Sequence, residues 1–438
     1  MTENHDAALT HVSQAEREAS HIPGLPAGTA TRQIRKVGVI GAGTMGGGIA
    51  MNFANAGIPV ILVEAAQEAL DRGLGLVRRN YENSASRGRI TADDVAARMG
   101  LLSGSLDYAD LADCDMVIEA VFEDMALKQS VLAKLGAALK PEAIIATNTS
   151  TLDVDVLAQA TGRPEVVVGT HFFSPANVMR LLEVVRGAKT APDVLATVVA
   201  LAGVIGKIPV VSGVCYGFIG NRMAEVYMRE TEFLLMEGAS PAQIDGAVQA
   251  LGMAMGPCRM LDMAGIDVGA RTVIEWKKSG AGPTDPAYRA VVDHLFAIGR
   301  HGQKTALGYY RYNGRDPEPD AELAAITRKI GDDHGIAARA SISDQEIVER
   351  LLYSLINEGF QILEEGIAYR AGDIDVVWTA GYGFPKALGG PMYWAQTLGL
   401  AQVLDRIKHY AAQRGNDHGY WTPSALLARM AKEAVLPA

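Results

Sequence analysis

A histidine and a glutamate in two neighbouring apolar runs are the residues that most clearly point to chemistry. The segment "GTHFFSPANVMRLLEVVRG" places His171 at the end of one run and Glu183 inside the next, between Leu182 and Val184. An unpaired carboxylate is costly to bury, so Glu183 needs a partner. We predict that His171 is this partner. The pair would act as a general base, because imidazole titrates near neutral pH and a carboxylate can fix its tautomer.

A glycine-rich turn after a short apolar strand predicts a dinucleotide site. In "RKVGVIGAGTMGGGIAMNFANAGIPVILVEA", Gly41, Gly43 and Gly46 have the GxGxxG spacing, and apolar residues recur at helical spacing after them. The first glycine permits a tight turn, the second lets a pyrophosphate approach the backbone, and the third lets helix and strand pack closely. The phosphates are expected at the helix N-terminus, beside Thr44 and Met45.

An acidic residue at the end of the second strand predicts which dinucleotide binds. Glu64 follows the glycines by about twenty residues, the position from which a carboxylate holds a ribose diol. The same carboxylate would repel a 2′-phosphate, and Ala65 beside it offers no cation, so NAD is expected rather than NADP. The alternative is a glycine-rich turn in an unrelated α/β protein.

Alternating strands and helices predict the fold class. The segments "DMVIEAVFE", "AIIATNTS", "VVVGTHFF" and "RLLEVV" indicate buried strands, with helical segments near 125–138 and 192–205. This pattern is typical of an open, mostly parallel α/β sheet of the Rossmann type with helices on both faces. Glu123, Asn148 and Ser150 follow strands, and ligands bind at that edge of such sheets, so we expect them near the cofactor.

An internal repeat predicts two related all-helical domains after the NAD-binding domain. The segment that begins "NRMAEVYMRETEFLLMEG" at 221 reappears as "ERLLYSLINEGFQILEEG" from 349. The first copy is expected to close the substrate cleft, whereas the second is expected to lack an active site. The predicted organisation is a lead at 1–31, the Rossmann domain at 32–212, a helical substrate or dimerisation-type domain at 213–315, a linker at 316–340 and the second helical copy at 341–438.

Composition limits the class of partner and the compartment. The net charge of −10 and the pI near 5.5 argue against nucleic acid or an anionic membrane as the main partner. No apolar run reaches the ~18 residues of a membrane span. Cys114, Cys215 and Cys258 have no metal-site spacing and cannot form a paired disulfide framework. These features predict a cytoplasmic protein without a metal site.

Five motifs in order resemble one enzyme family. The glycine fingerprint, "VIEAVFEDMALKQSV", "TNTSTL", "GTHFFSPANVMRLLEVV" and "GFIGNRM" resemble the L-3-hydroxyacyl-CoA dehydrogenase family. The resemblance is to the long form that is the dehydrogenase part of multifunctional fatty-acid oxidation enzymes. It runs from about residue 32 to the C-terminus.

The resemblance implies a role for each site residue. It makes His171 the general base and Glu183 the carboxylate that orients it. Some short members have asparagine where this chain has Ser174, whose hydroxyl can still donate or accept a hydrogen bond. The further implied contacts are Ser150 and Asn221 with the substrate and Glu123, Lys128 and Ser174 with NAD.

The implied activity is NAD-dependent oxidation of (S)-3-hydroxyacyl-CoA to 3-ketoacyl-CoA in fatty-acid β-oxidation or related acyl-CoA metabolism. One alternative is a dehydrogenase of a small free hydroxy acid, which usually uses a lysine base. Another is a non-catalytic NAD-binding subunit that scaffolds a thiolase or hydratase. Association with a hydratase or thiolase is a further hypothesis for the active enzyme.

Two expectations concern assembly. The lead segment "SQAEREASHIPGLP" resembles the connector after a hydratase domain, so the chain is either a split enzyme or a fragment, and no hydration activity is expected from it alone. Short members dimerise through their helical domains. A tethered second copy makes that pairing intramolecular, which predicts a monomer with a pseudo-twofold tandem pair.

Overall fold

A computed structural model describes residues 2–26 and 28–433 of the chain. These residues divide into two compact units. The sheet unit consists of Ser13–Ile219 and Gly366–Gly381, and the helical unit consists of 2–12, Gly220–Glu365 and 382–433. None of the helices in the described ranges is long and apolar enough to cross a membrane.

The secondary structure follows a clear order along the chain. The strands are β1 (Val37–Ile40), β2 (Val60–Val63), β3 (Leu102–Ser105), β4 (Met116–Glu119), β5 (Ile144–Thr147), β6 (Val167–Phe172), β7 (Leu181–Val185), β8 (Ile208–Ser212), β9 (Arg311–Asn313) and β10 (Asp316–Glu318). The helices up to the end of the Rossmann region are α1 (Thr2–Glu18), α2 (Thr44–Asn55), α3 (Gln67–Ser86), α4 (Ala92–Gly100), α5 (Met125–Ala138), α6 (Val154–Ala160) and α7 (Pro192–Val204). The later helices are α8 (Gly220–Glu237), α9 (Pro241–Ala250), α10 (Pro257–Ala264), α11 (Ile266–Lys278), α12 (Ala290–Ala297), α13 (Ala321–Asp333), α14 (Asp344–Glu364), α15 (Ala371–Gly381), α16 (Pro391–Leu398), α17 (Leu400–Arg414) and α18 (Ala425–Glu433).

The sheet unit contains an eight-stranded sheet in the order β3-β2-β1-β4-β5-β6-β7-β8. Neighbouring strands are parallel except for β6 and β7, which pair in antiparallel fashion. The chain reverses its order between β1 and β4, which is the position where open α/β sheets bind ligands. The predicted open, mostly parallel Rossmann-type sheet is therefore confirmed.

Helices cover both faces of this sheet because its strands are apolar on both sides. Val37 and Val39 of β1 lie in one core cluster with Ile49 and Phe53 of α2. Ile40 of the same strand lies in a second cluster, with residues of α5 and α6. Side chains alternate between the faces of a strand, so one short strand contributes to two cores.

The edge of the sheet at β8 is covered by a segment from the predicted second helical copy. The N–H of Gly213 donates to the carbonyl oxygen of Ile367 at 2.8 Å, and Ser212 forms a bridge with Ala368. Helix α15 packs on β7 and β8. An exposed edge strand would offer unpaired backbone groups to other chains, and this segment pairs with the end of β8 within the molecule.

The helical unit brings the two copies of the repeat together. Helices α8 and α14 begin the two copies and pack against each other. Their ion pairs are reciprocal at a constant offset of 128 residues. Arg222 of α8 pairs with Glu358 (2.6 Å) and Glu365 (2.5 Å) of α14, and Arg350 of α14 pairs with Glu230 (3.1 Å) and Glu237 (2.9 Å) of α8. Mutual contacts between equivalent residues are the pattern of a twofold interface.

Two segments without an assigned element in the sequence analysis are helical. Helix α13 lies within the expected linker 316–340, where Leu323, Thr327 and Ile330 are buried at helical spacing. It packs on α8. Helix α1 lies within the expected N-terminal lead, 1–31.

Candidate active site

The paired strands β6 and β7 place His171 and Glu183 side by side. The two residues are directly opposite each other in the antiparallel register. Directly opposed residues project from the same face, so the ring and the carboxylate meet. The distance between Nδ1 of His171 and Oε2 of Glu183 is 2.7 Å. His171 is 6% exposed and Glu183 is fully buried.

A backbone donor satisfies the second oxygen of Glu183. The N–H of Ile219 donates to Oε1 at 3.2 Å. The preceding residue, Phe218, is fully buried and has a φ of +52°, a left-handed conformation that is rare for a bulky side chain. The burial of Glu183 is therefore compensated on both oxygens. Because Glu183 accepts from Nδ1–H of His171, the basic nitrogen of the ring is Nε2.

Two phenylalanines surround the histidine. Ring centroids lie 4.5 Å apart for His171 and Phe173, and 5.8 Å apart for His171 and Phe218. Apolar walls restrict the positions that the imidazole can adopt. The sequence analysis did not identify either phenylalanine.

The glycine loop has the geometry that a bound pyrophosphate needs. Gly41 has a φ of +96° at the turn that follows β1. A Cβ on Gly46 would lie 1.8 Å from the carbonyl oxygen of Gly41, so only glycine permits this packing. A Cβ on Gly43 would instead point into open space. Gly43 is the N-cap of α2 and gives it no side-chain hydrogen bond, so the first N–H groups of Thr44 and Met45 suit an anion.

Glu64 lies beside this loop. One oxygen, Oε1, accepts the N–H of Ala42 at 2.7 Å, and Oε2 accepts the N–H of Ala65 at 3.1 Å. These bonds fix the carboxylate at the carboxyl end of β2, next to the glycine turn. The arrangement fits the predicted contact with a ribose diol.

A buried chain of charges follows β4. Lys128 is 1% exposed, and its Nζ lies 2.7 Å from Oε1 of Glu119 and 3.4 Å from Oε2 of Glu123. The hydroxyl of Thr147 donates to the other oxygen of Glu119 at 2.7 Å. Lys128 therefore acts on the site through Glu123, since its ammonium is committed to the two carboxylates. The sequence analysis missed Glu119.

The other oxygen of Glu123 organises the loop after β5. Its Oε1 accepts the N–H and hydroxyl of Ser150 at 2.7 and 3.1 Å, and the hydroxyl of Thr149 at 2.6 Å. The N–H of Thr151 donates to the same atom at 3.0 Å. Burial raises the pKa of Glu123, but Lys128 and these donors lower it more, so the pKa lies below its ordinary value. The predicted residues Glu123, Lys128 and Ser150 thus form one connected group.

Asn148 and Ser174 both lie near the end of β6, the strand that carries His171. The Oδ1 of Asn148 accepts the N–H of Phe172 at 2.9 Å, which ties the end of β5 to the end of β6. Ser174 is exposed at the start of the loop between β6 and β7. Lys207 holds the far side of this loop, because its Nζ donates to the carbonyl oxygens of Ala176 and Met179, each at 2.6 Å.

Asn221 belongs to the helical unit, in the first turn of α8. Its Oδ1 accepts a hydrogen bond from the hydroxyl of Tyr382 at 2.7 Å. The structure places the other predicted site residues in the sheet unit. Of the residues that the sequence analysis missed, Glu119 could have been found by the argument used for Glu183, since it is also an acid inside an apolar run.

The chain matches two family models. The model described as "3-hydroxyacyl-CoA dehydrogenase, NAD binding domain" matches residues 36–215. The model described as "3-hydroxyacyl-CoA dehydrogenase, C-terminal domain" matches 217–312 and 347–437. The NAD-binding match and the glycine loop agree on NAD as the cofactor.

A curated relative shows the extent of the similarity. The peroxisomal bifunctional enzyme of Cavia porcellus is 44% identical over 427 residues, which are 93% of this chain and 57% of the relative. The chain therefore spans little more than half of that protein. Relatives from Danio rerio and Homo sapiens carry the same name. The predicted cytoplasmic location is wrong by this comparison, because these relatives are named as peroxisomal enzymes. Composition and cysteine usage do not distinguish one reducing compartment from another.

Two solved structures share the fold. The 3-hydroxybutyryl-CoA dehydrogenase of Escherichia coli K12 has a TM-score of 0.80 at 26% identity and covers 92% of this chain and 99% of its own. The dehydrogenase part of multifunctional enzyme 1 from C. elegans has a TM-score of 0.68 at 29% identity and covers 96% of each chain. Together with the two matching family models, these similarities show that the chain belongs to the 3-hydroxyacyl-CoA dehydrogenase family.

Proposed function

We propose that the chain oxidises (S)-3-hydroxyacyl-CoA to 3-ketoacyl-CoA with NAD, as a step of fatty-acid β-oxidation or related acyl-CoA metabolism. The observation that carries this proposal is the buried pair of His171 and Glu183 at the carboxyl end of β6, in the NAD-binding unit. Family membership and the 3-hydroxybutyryl-CoA dehydrogenase among the similar solved structures support the substrate class.

The reaction needs a base for the hydroxyl proton of the substrate. Nε2 of His171 takes this proton, and the resulting imidazolium is stabilised by the Glu183 carboxylate at 2.7 Å. NAD, when bound in this unit, would supply the acceptor for the hydride of the 3-carbon. The product is a 3-ketone, and one proton remains on His171 until it is released to solvent.

The remaining residues orient the reactants. The hydroxyl of Ser150 is held by Glu123 and contacts the substrate oxygen. Asn221 is a further residue that would contact the acyl-CoA. Gly41, Gly43 and Gly46, together with Thr44, Met45 and Glu64, would hold the adenosine and pyrophosphate of NAD. Glu123 and Lys128 would lie near its nicotinamide half, and Asn148 and Ser174 would also contact the cofactor.

We further propose that the protein is a monomer. The reciprocal ion pairs of Arg222 and Arg350 support an intramolecular twofold pair, which uses the face through which short members dimerise. Association with a hydratase or thiolase remains part of the proposal.

One assay separates the candidate functions. Loss of NADH absorbance is followed with acetoacetyl-CoA, with free acetoacetate, and with NADPH in place of NADH. The proposal predicts turnover with acetoacetyl-CoA and NADH. It predicts a kcat/KM at least about a hundredfold lower with free acetoacetate, which lacks coenzyme A, and with NADPH, whose 2′-phosphate Glu64 would repel. Preference for acetoacetate would favour a free hydroxy-acid dehydrogenase. Absence of turnover with every pair would favour a non-catalytic subunit.

A further inference from the structure

Lys207 is a buried cation to which the proposed reaction gives no task. It lies directly before β8 and is 7% exposed. Its Nζ donates to the carbonyl oxygens of Ala176 and Met179, each at 2.6 Å. An ammonium that is buried against neutral acceptors is costly to keep charged, whereas an apolar side chain would fill the same space at little cost. This cost is offset by what the ammonium holds, the backbone of the loop between β6 and β7.

This loop comprises residues 173–180 and is closed by a turn of its own. The N–H groups of Val178 and Met179 both donate to the carbonyl oxygen of Pro175, at 2.9 and 3.0 Å. Side chains from outside the loop supply donors to the carbonyl oxygens of Ala176 and Met179. The ammonium therefore holds a formed turn from outside.

The same loop is joined to helix α2. Nδ2 of Asn52 donates to the carbonyl oxygen of Ala176 at 3.0 Å, and both residues are buried. A Cβ on Gly48 would lie 3.1 Å from the Cβ of Ala176, so the loop packs directly on this helix. Gly48 lies about one turn beyond the N-terminus of α2, which suits an anion. Lys207 therefore holds the loop against the helix that is assigned to the dinucleotide.

We propose that Lys207 is a positioning residue for the cofactor. It locks the loop between β6 and β7 onto α2, and it thereby sets the position of Ser174, the exposed second residue of that loop, relative to the glycine turn. Lys207 acts through the loop, since its ammonium is engaged by the two carbonyl oxygens. The inference rests on the contact of Ser174 with NAD in the proposed function.

The test is the Kd of NADH, measured on the full chain by fluorescence titration well below the Tm. It is made at about pH 7, because burial lowers the pKa of Lys207 to about 8 and the ammonium is protonated there. Lys207→Met keeps the apolar stem and removes the donors. We expect the Kd to rise about tenfold, the effect of releasing one ordered contact. In the Ser174→Ala background the same change should raise the Kd no further.

Turnover separates this role from a general loss of structure. With acetoacetyl-CoA and saturating NADH, kcat of Lys207→Met should stay within about twofold of wild type. The reason is that the pairing of β6 with β7, and not the loop, places His171 opposite Glu183.

A second variant and a matched control complete the design. Asn52→Ala removes the other donor to the carbonyl oxygen of Ala176, so it should also raise the Kd of NADH, and only while Ser174 is present. The control is Lys140→Met. It removes a lysine of the same unit that pairs with Asp115 at 2.6 Å, before β4 and at the opposite edge of the sheet, and it should leave the Kd unchanged.

Four results would overturn one or both proposals. An unchanged Kd in Lys207→Met, or in Asn52→Ala if the first variant does not fold, would overturn the positioning role. A rise by the same factor with and without the Ser174 hydroxyl would do the same. Wild type that binds NADH without reducing acetoacetyl-CoA would overturn the proposed reaction alone, because the Kd series does not depend on turnover. Wild type that does not bind NADH would overturn both.

Discussion

At the scale of single residues, two buried carboxylates of the sheet unit are compensated by partners of opposite charge or by hydrogen-bond donors. Glu183 has His171 and the N–H of Ile219. Glu119 has Lys128 and a threonine hydroxyl. Lys207 differs, because it is 7% exposed and its ammonium meets two carbonyl oxygens rather than a carboxylate. Burial lowers its pKa to about 8.

This lysine predicts a pH-dependent stability. Between its folded pKa of about 8 and its ordinary value of 10.5, the unfolded chain binds more protons than the folded chain. The contribution of Lys207 to stability therefore rises with pH across this range, by at most about 1.4 kcal/mol per pH unit. We expect the Tm of wild type minus the Tm of Lys207→Met to increase from pH 8 to pH 10 in calorimetric scans. A difference that stays constant or shrinks over this range would contradict the assignment.

At the scale of elements, the strand-turn-helix unit formed by β1, its glycine turn and α2 shows that identical residues have separate tasks. Gly46 is required for packing, since any Cβ there would overlap the carbonyl oxygen of Gly41. Gly43 faces open space and has a φ of −67°, which any residue can adopt. Glycine at 43 is therefore expected to matter for the approach of a pyrophosphate to the backbone and not for the stability of the fold.

This difference predicts a contrast between two alanine variants. Gly43→Ala should keep the Tm of wild type within about 2 °C but weaken NAD binding at least tenfold, because its methyl group occupies the space of the pyrophosphate. Gly46→Ala should lower the Tm by several degrees, because helix and turn must separate. Calorimetric scans and titration with NAD measure both quantities. Normal NAD affinity in Gly43→Ala would contradict the assignment of the phosphate site.

Some elements could be predicted from the sequence because their signals are local. The turn after β1 and the pair of His171 and Glu183 depend on spacings of a few residues. Strand β3, "LSGS", could not be predicted in this way, because it is a half-exposed edge strand with no apolar alternation. Helix α13 was obscured by the polar and proline-containing residues before it.

The parts of the site that escaped prediction depend on long-range packing. Phe218 reaches His171 because a left-handed backbone at 218 turns its ring inward, and the sequence gives no sign of that φ. Tyr382 reaches Asn221 from 161 residues away. The second contact follows from the pairing of the two repeats, which periodicity within one helix does not specify.

At the scale of the whole molecule, the interface between α8 and α14 contains one buried set of ion pairs and one partly exposed set. Arg350 is fully buried between Glu230 and Glu237. Burial raises the pKa of Glu237, but Arg350 and Arg414 lower it more, so the carboxylate stays ionised. Arg222 makes the equivalent contacts with partly exposed carboxylates. The buried ion pairs of Arg350 and the partly exposed ion pairs of Arg222 should therefore contribute different amounts to the free energy of unfolding.

We expect Arg350→Met to be much more destabilising than Arg222→Met. Removing the buried guanidinium leaves carboxylates without water or full compensation, which costs about 3 kcal/mol or more. The exposed pair is worth about 1 kcal/mol or less. Urea unfolding followed by circular dichroism measures both variants. Equal losses, or a larger loss for Arg222→Met, would show that the pseudo-twofold contacts do not differ in this way.

The tandem arrangement also predicts the mass in solution. Under the proposed intramolecular pairing, the second copy takes the place that a second chain would take in a dimer. Light scattering at micromolar concentration should give a mass near 46.5 kDa. A mass near twice 46.5 kDa would contradict the intramolecular pairing.

The measurement that tests the central claim most directly is steady-state oxidation of NADH by acetoacetyl-CoA with wild type, His171→Ala and Glu183→Gln. We predict that His171→Ala lowers kcat by roughly 10² to 10⁴, the range for loss of a general base, and that it still binds NADH with the wild-type Kd. Glu183→Gln should also be severe, because the amide can hold the ring in the wrong tautomer. Near-normal turnover in both variants would contradict the assignment of this pair as the catalytic base.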